Sequence, residues 1–190
     1  MNSFSTTPPG AAGTVFLVGF MGCGKTTVGR LLAQQVAWSF VDLDNLIEQA
    51  EGKSIAEIFS LAGEVAFRRR EQELLRRIIQ ERPQAGGRVV ALGGGTFAQP
   101  ANLQLLEDAQ AITIWLECPI EVLLMRCALI SNRPLFRDEA SFRRLYEERL
   151  PFYHQARFTV QAGPPGDPMR VVQQILALPI FQGTPLLDRK

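Results

Sequence analysis

Residues 14–27 read Thr-Val-Phe-Leu-Val-Gly-Phe-Met-Gly-Cys-Gly-Lys-Thr-Thr. The apolar run Thr14–Val18 predicts a strand, and Gly19–Thr26 directly after it matches the pattern G-x-x-x-x-G-K-(S/T) in full. The pattern that follows predicts a helix over Lys25–Val36. A strand, a glycine-rich turn and a helix in this order are the context in which this motif binds phosphate groups. The segment therefore predicts a nucleotide-binding α/β fold.

The residues of this phosphate loop suit its chemistry. Glycines let the backbone curl so that N–H groups point inward, and the helix N-terminus adds a favourable dipole. We expect Lys25 to contact the β- and γ-phosphates and the Thr26 hydroxyl to bind Mg²⁺. The residues expected to surround the nucleotide are Gly22, Cys23, Gly24, Lys25, Thr26 and Thr27. The loop alone does not identify the nucleotide or the acceptor.

Short apolar runs alternate with helical patterns along the rest of the chain. Further strands are predicted at Phe40–Val41, Val89–Leu92, Ala111–Trp115 and Phe158–Val160. Helices are predicted at Leu46–Glu51, Ile55–Leu61, Glu64–Glu81, Ile120–Ile130, Ser141–Gln155 and Met169–Ala177. This alternation predicts a five-stranded parallel sheet between helices, a three-layer α/β sandwich. We expect a flexible tail over 1–13, one domain over 14–178 and an irregular tail over 179–190.

Composition limits the kinds of partner. The 20 Lys and Arg residues nearly balance the 19 Asp and Glu residues, so nothing indicates binding to nucleic acid or to an anionic membrane. No apolar run reaches the roughly 18 residues that a membrane helix needs. Three cysteines without paired spacing, and no secretion signal, indicate a reducing compartment. We expect a cytoplasmic monomer.

The ends of the second and third strands carry further candidates. Asp42 and Asp44 are two residues apart, so in extended geometry both point to one side. One carboxylate can hold the water shell of Mg²⁺ while the other orients a hydroxyl and accepts its proton. Alternatively, either aspartate only caps the next helix. Gly93, Gly94 and Gly95 allow a hydroxyl or carboxylate to approach the backbone closely, or simply form a turn.

Arginines complete the set of candidates. Arg68 can contact both Glu64 at i−4 and Glu71 at i+3, which would orient its guanidinium for bidentate binding of a carboxylate. Neighbouring arginines alternate with glutamates, as on a solvated helix face. Arg133, in a polar segment, either belongs to a lid that closes over the nucleotide or is an incidental surface residue.

Taken together, these motifs resemble the shikimate kinase family, a P-loop family similar to the nucleoside monophosphate kinases. The resemblance extends from about Val15 to Leu176. It rests on motifs in a fixed order: Gly19–Thr26 with Thr27-Val28-Gly29, Asp42-Leu43-Asp44, Gly63-Glu64, Phe67-Arg68 with Glu71, Gly93–Gly95, Arg133-Pro134-Leu135, and Arg149 with Pro151 and Tyr153. The departures that concern packing and turn geometry are Ala37, Leu43 and Phe136, and Cys23 is a mild substitution for alanine inside the phosphate loop.

The resemblance implies a P-loop kinase fold with substrate-binding helices and a lid. It also implies Mg²⁺-dependent transfer of the ATP γ-phosphoryl group to the 3-hydroxyl of shikimate. Asp44 would hold substrate hydroxyls and serve as the base, while Asp42 and Thr26 would lie near Mg²⁺. The implied catalytic residues are Lys25, Asp44 and Arg133. Those implied for the shikimate pocket are Asp44, Arg68, Gly93, Gly94, Gly95 and Arg149, and Arg126 and Arg133 would contact ATP, Arg126 against the adenine.

Three other functions are compatible with the phosphate loop. The chain could be another small-molecule kinase, acting on gluconate or a nucleotide, although the full set of motifs argues against this. It could be a nucleotide-binding regulator without turnover, but Asp44, Arg68 and Arg149 are all present. A nucleic-acid-binding module is disfavoured by the near-neutral charge and the scattered arginines.

Overall fold

The structure is a computed structural model that describes residues 13–83, 86–128, 138–163 and 167–182. One parallel sheet contains β1 (Thr14–Val18), β2 (Ser39–Asp42), β3 (Arg88–Ala91), β4 (Ile112–Glu117) and β5 (Phe158–Gln161). Their order across the sheet is β2-β3-β1-β4-β5. Every residue of β1 and β3 is buried, as in strands covered on both faces. The predicted α/β class with a five-stranded parallel sheet is confirmed.

Within the described residues, seven helices accompany the sheet. They are α1 (Lys25–Gln35), α2 (Leu43–Glu51), α3 (Ile55–Gln80), α4 (Pro100–Asp108), α5 (Ile120–Ala128), α6 (Glu139–Tyr153) and α7 (Pro168–Leu176). None of these described helices has the length and the apolar character that crossing a bilayer requires. A single turn of 3₁₀ helix follows at Pro179–Phe181, and its buried Phe181 packs against Trp38.

The register of the strands aligns three chain segments at one sheet edge. Asp42 of β2 pairs with Ala91 of β3, and Ala91 pairs with Leu17 of β1. The chain therefore leaves all three strands from the same row. Two residues beyond this row lie Gly19 and Gly93, which begin the phosphate loop and the glycine triplet, and Asp44, which ends the acidic segment Asp42-Leu43-Asp44. Parallel pairing by itself thus brings the three predicted parts of the site together.

Helix α2 begins earlier than predicted, at Leu43 instead of Leu46. Asp42 is its N-cap, and the carboxylate accepts hydrogen bonds from the backbone N–H groups of Asp44 at 3.2 Å and Asn45 at 3.5 Å. An acidic N-cap satisfies helix N–H groups that have no partner within the helix. The cap moves the helix start to the strand end, so Asp44 lies in the first helical turn.

The two helices predicted at Ile55–Leu61 and Glu64–Glu81 form one element, α3, bent at Gly63. Gly63 has φ 78° and ψ 172°, values that only glycine adopts without strain. The second half of α3 ends against β3, because the Arg88 guanidinium donates to the carbonyls of Ile78 and Glu81. The bend and this anchor fix the direction in which α3 presents Arg68.

Helix α4 occupies a segment for which the sequence predicted no element. Pro100 stands in its first turn, where a missing N–H costs nothing, and Leu103 and Leu106 face the core. Their i, i+3 spacing is a helical signal, but the helix has only nine residues. Asn102 is buried on the same face. This polar residue interrupts the apolar pattern, so the sequence does not predict the helix.

Ala37, one of the departures from the family pattern, follows α1 in a left-handed conformation with φ 53°. This conformation costs an L-residue with a Cβ roughly 1–2 kcal/mol, whereas glycine adopts it freely. The chain turns at this point from α1 into β2, since the N–H of Trp38 donates to the carbonyl of Ala33 at 2.9 Å. The substitution affects turn geometry, as expected, and lies outside the phosphate loop.

We predict that Gly63→Ala destabilises the protein by about 1–3 kcal/mol, because alanine is strained at this φ and ψ. Gly52→Asn is the matched control. Gly52 has φ 63° and ψ 23°, in the left-handed region that asparagine tolerates. A Cβ at either position meets nothing within 4 Å, so backbone strain alone separates the two variants. Urea unfolding measures both, and equal losses of stability would contradict the interpretation.

Candidate active site

A cavity of about 940 Å³ opens where β1, β2 and β3 end. It collects every described residue that the sequence predicted for the site, namely Gly22, Cys23, Gly24, Lys25, Thr26, Thr27, Asp42, Asp44, Arg68, Gly93, Gly94, Gly95, Arg126 and Arg149. Arg133 lies outside the described residues. Residues from both halves of the chain thus share one cavity with the phosphate loop.

The phosphate loop is folded tightly around its lysine. Gly22 and Gly24 have φ 83° and φ 98°, which favour glycine. The Lys25 ammonium donates to the carbonyls of Gly19 at 2.7 Å and Phe20 at 3.0 Å. Because Gly24 precedes α1 and has no side chain to cap it, the first-turn N–H groups are left for a ligand. This arrangement fits a phosphate group.

Thr26 and Asp42 meet beside the loop. The Thr26 hydroxyl donates to the Asp42 carboxylate at 2.7 Å, while the same carboxylate caps α2. Asp42 therefore has the capping role and also contacts the phosphate loop. A hydroxyl and a carboxylate are oxygen donors of the kind that Mg²⁺ prefers, and Mg²⁺ takes its remaining ligands from water and phosphate. Within the described residues, no three His, Cys, Asp or Glu side chains form a metal cluster.

Asp44, the second of the two aspartates, lies partly buried in the first turn of α2. The pKa of Asp44 is raised from 3.8 to about 6, mainly by burial and then by repulsion from Asp42, while the Lys25 charge opposes the shift. Its Oδ1 would lie only 2.5 Å from a Cβ placed on Gly93. Gly93 therefore leaves the space that the Asp44 carboxylate fills. A carboxylate with a pKa close to neutrality is suited to accept a proton.

Arg68 is held by two glutamates, as its spacing predicted. Its Nε donates to Glu64 at 3.3 Å, and its Nη1 donates to both oxygens of Glu71 at 3.0 Å. Glu71 has an exposed fraction of only 1%. These bonds use Nε and Nη1, while Nη2 lies 3.0 Å from a Cβ placed on Gly95. The guanidinium thus directs one free edge to the glycine triplet.

Arg149 approaches the same point from α6. Its Nη2 also lies 3.0 Å from a Cβ placed on Gly95, and its Nη1 donates to the carbonyl of Gly94 at 3.1 Å. Burial lowers the pKa of Arg149, and repulsion from Arg68 acts in the same direction. The guanidinium also lies over the Phe20 ring at 5.6 Å. Two cations therefore converge at one glycine.

The glycine triplet is explained by close packing. None of Gly93, Gly94 and Gly95 has a positive φ, so their backbone would permit other residues. A Cβ on Gly94 would lie 3.2 Å from the backbone nitrogen of Met21 in the phosphate loop. The Gly94 carbonyl accepts hydrogen bonds from Arg149 and from the Tyr153 hydroxyl. The simple-turn interpretation therefore omits the main constraint at these positions.

Arg126 lines the cavity beside the phosphate loop. Its Nη1 donates to the carbonyl of Gly22 at 3.2 Å and to the Cys118 sulfur at 3.8 Å. Pro168 and Val171 of α7 line the cavity as well. A guanidinium near apolar side chains suits the flat face of an aromatic ring. No signal in the sequence indicates that the start of α7 contributes here.

Sequence reasoning missed several contacts that hold the charged groups. Thr96 donates to Glu71 at 2.7 Å, and Asn102 donates to Glu71 at 3.4 Å. In the sequence Tyr153 stands out only as part of a motif, yet its hydroxyl fixes the Gly94 carbonyl. These partners are 25 to 59 residues apart in the chain. No local pattern reveals contacts of this kind.

Comparison with known proteins gives a consistent result. The family model described as shikimate kinase matches residues 21–178. A shikimate kinase from Synechococcus elongatus is 41% identical over 165 residues, which is 85% of this chain and 84% of that protein. One from Caulobacter vibrioides is 40% identical over 158 residues, or 82% of this chain and 76% of that protein.

Solved structures agree with the sequence comparison. A shikimate kinase from Acinetobacter baumannii in complex with shikimate has a TM-score of 0.81 at 35% identity, and the match covers 90% of this chain and 94% of that one. A gluconokinase from Sinorhizobium meliloti has a TM-score of 0.57 at 18% identity, with 87% and 90% coverage. The match to the gluconokinase shows a similarity of fold alone.

The raised pKa of Asp44 predicts a pH-dependent stability difference between wild type and Asp44→Asn. Between the unfolded value of 3.8 and the folded value of about 6, the folded protein keeps a proton that the unfolded chain loses. The free energy of unfolding of the wild type therefore falls as the pH rises through this window. Asparagine does not ionise, so the variant avoids the loss.

We expect Asp44→Asn to be more stable than wild type by about 2–3 kcal/mol near pH 8, and the difference to close below about pH 4. Urea unfolding of both proteins at the two pH values measures the effect, and the low-pH pair is the internal control. A wild type that is the more stable protein near pH 8 would contradict the raised pKa.

Proposed function

This chain belongs to the shikimate kinase family, and from that premise we propose how its residues bind the substrates and transfer the phosphoryl group. The chain is an ATP-dependent kinase that moves the γ-phosphoryl group to the 3-hydroxyl of shikimate, giving 3-phosphoshikimate and ADP. The reaction belongs to the biosynthesis of aromatic amino acids. Each group around the cavity has a role in it that its contacts support.

One observation carries the assignment of the acceptor site: the Nη2 atoms of Arg68 and Arg149 converge at Gly95. Within the described residues, Arg149 forms no ion pair, although it is only 9% exposed. A buried cation without a counterion is costly, and a bound anion removes that cost. We assign the shikimate carboxylate to this pair of guanidiniums, with Gly93–Gly95 along one side of the ring.

The transferred group then lies between Lys25 and Asp44, which line the same cavity. Asp44 orients the attacking hydroxyl and accepts its proton, and its raised pKa suits a base near neutral pH. Lys25 leaves the carbonyls of Gly19 and Phe20 to contact the β- and γ-phosphates. The protein acts through positioning and charge, since phosphoryl transfer needs little covalent help.

Thr26 and Asp42 are the residues that would hold Mg²⁺, for their oxygens already meet at 2.7 Å. Mg²⁺ held there would supply positive charge that offsets the negative charge developing on the transferred phosphoryl group. Arg126 would contact the adenine in this cavity, which Pro168 also lines. Arg133 stays a proposed lid residue that stabilises charge on the transferring phosphoryl group.

We also propose a cytoplasmic site of action, since the described cysteines Cys23, Cys118 and Cys127 are buried free thiols. A monomeric state remains a prediction from the sequence.

The first experiment measures ADP release from Mg²⁺-ATP with shikimate, gluconate and AMP offered in parallel. We expect turnover with shikimate alone, and none in the Lys25→Ala variant, which loses the charge on the phosphates. Gluconate is included because a gluconokinase shares the fold. Turnover with gluconate or AMP but not shikimate would overturn the proposed acceptor and keep the nucleotide site.

The second experiment compares Arg68→Lys with Arg69→Lys. Lysine keeps the charge but loses the planar fork, so Arg68→Lys should raise the KM for shikimate at least tenfold, by roughly the 1.5–3 kcal/mol of a charged hydrogen bond, and spare the KM for ATP. Arg69 is 83% exposed and pairs with Glu73 on the solvent side. Its replacement is the matched control and should leave both constants unchanged. Equal damage to shikimate and ATP in Arg68→Lys would exclude a carboxylate clamp.

A further inference from the structure

We propose that Thr96 and Asn102 are positioning residues for the acceptor, acting through Glu71 on Arg68. The inference rests on the proposed function, because Arg68 is there assigned to the shikimate carboxylate. Neither residue belonged to the predicted site, and neither lines the cavity. Their effect on the reaction would therefore be indirect, through the orientation of a side chain that contacts the substrate.

The central group is the Glu71 carboxylate, which is 1% exposed. Its Oε1 accepts from the Thr96 hydroxyl at 2.7 Å and its Oε2 from the Asn102 amide at 3.4 Å. Both oxygens also accept from Nη1 of Arg68 at 3.0 Å. Donors from three chain segments thus occupy both oxygens, and the carboxylate plane cannot rotate without breaking a buried bond.

Asn102 contributes to the network through its Nδ2 group, which is a hydrogen-bond donor. Its Nδ2 also donates to the Thr96 carbonyl at 3.1 Å, and both partners can only accept, so the orientation of the amide is determined. Its Oδ1 is buried without a hydrogen-bond partner among the described residues. An unsatisfied buried acceptor is destabilising. The two hydrogen bonds that Nδ2 donates therefore explain why asparagine, and not an apolar residue, stands at position 102 of α4.

Thr96 connects the hydrogen-bond network around Glu71 to the loop after β3, which contains the glycine triplet. It directly follows the glycine triplet, and its Oγ1 would lie 2.8 Å from a Cβ placed on Gly93. Its one hydroxyl proton is directed to Glu71. The loop after β3, helix α3 and helix α4 are thus joined at a single carboxylate. Without one of the two donors, Glu71 can turn, and the Nη2 atom of Arg68 moves away from Gly95.

This arrangement predicts an effect on one substrate only. Among the described residues, none of the side-chain hydrogen bonds of Thr96 or Asn102 reaches the phosphate loop residues that surround Lys25. A merely structural role would weaken the fold and both substrates together. A positioning role would weaken shikimate binding and leave ATP binding intact.

The test uses Thr96→Val, which removes the hydroxyl at constant shape, and Thr96→Ser, which restores it. We expect Thr96→Val to raise the KM for shikimate roughly 3- to 10-fold with the KM for ATP unchanged within about twofold. Thr96→Ser should lie close to wild type. Asn102→Leu is the second arm and should show the same selective effect.

Leu106→Ala is the matched control for stability. Leu106 is buried on α4, and its apolar side chain cannot hydrogen-bond to Glu71, Thr96 or Asn102, so this variant opens a cavity beside the same helix without removing a bond of the network. Thermal unfolding of all variants shows how far each is destabilised. We expect Leu106→Ala to lower the melting temperature without a selective rise in the KM for shikimate.

The outcomes are distinct. Folded Thr96→Val with an unchanged KM for shikimate, or with equal rises for shikimate and ATP, would overturn the inference even if Asn102→Leu fails to fold. A selective rise that is reversed in Thr96→Ser would support it. Failure of the wild type to use shikimate at all would overturn the proposed function as well, and the inference with it.

Discussion

The parallel pairing of β2, β3 and β1 is the constraint on which the site depends. Three strands in register must end together, so the segments that leave them meet at one sheet edge. The phosphate loop follows the first strand, the acidic segment the second and the glycine triplet the third. The Asp44 carboxylate lies so close to Gly93 that a Cβ added to this glycine would be 2.5 Å from it. A shift of one residue in the strand register would separate the two residues.

The charged groups of the cavity differ in whether they have a partner within the protein. Lys25 is satisfied by carbonyls of its own loop, and Thr26 by Asp42, so the phosphate site is ordered before a ligand arrives. The proposed acceptor site differs, because Arg68 pairs with Glu71 whereas Arg149 forms no ion pair among the described residues and lies near the like charge of Arg68. We therefore expect the nucleotide end of the cavity to exchange internal hydrogen bonds for phosphate contacts, and the proposed acceptor end to be completed by an anion from outside.

The sequence was informative where function depends on neighbours in the chain. The phosphate loop, the two aspartates and the Arg68–Glu71 pair were recognisable because their spacing maps directly onto a turn, a strand end and a helix face. Helix α4 was missed, since Asn102 interrupts its short apolar pattern. The partners of Glu71 were missed for a different reason. They come from distant segments, and only the packed fold decides which polar groups share a buried carboxylate.

The glycine triplet has a consequence for inhibitor resistance. Side chains at Gly93, Gly94 and Gly95 are blocked by different neighbours: the Asp44 carboxylate, the Met21 backbone and the two guanidiniums. A substitution at any of the three would therefore damage a different part of the enzyme. We expect a compound that is recognised through the backbone of this triplet to meet a surface that no single residue change alters without moving the Asp44 carboxylate, the Met21 backbone or the two guanidiniums.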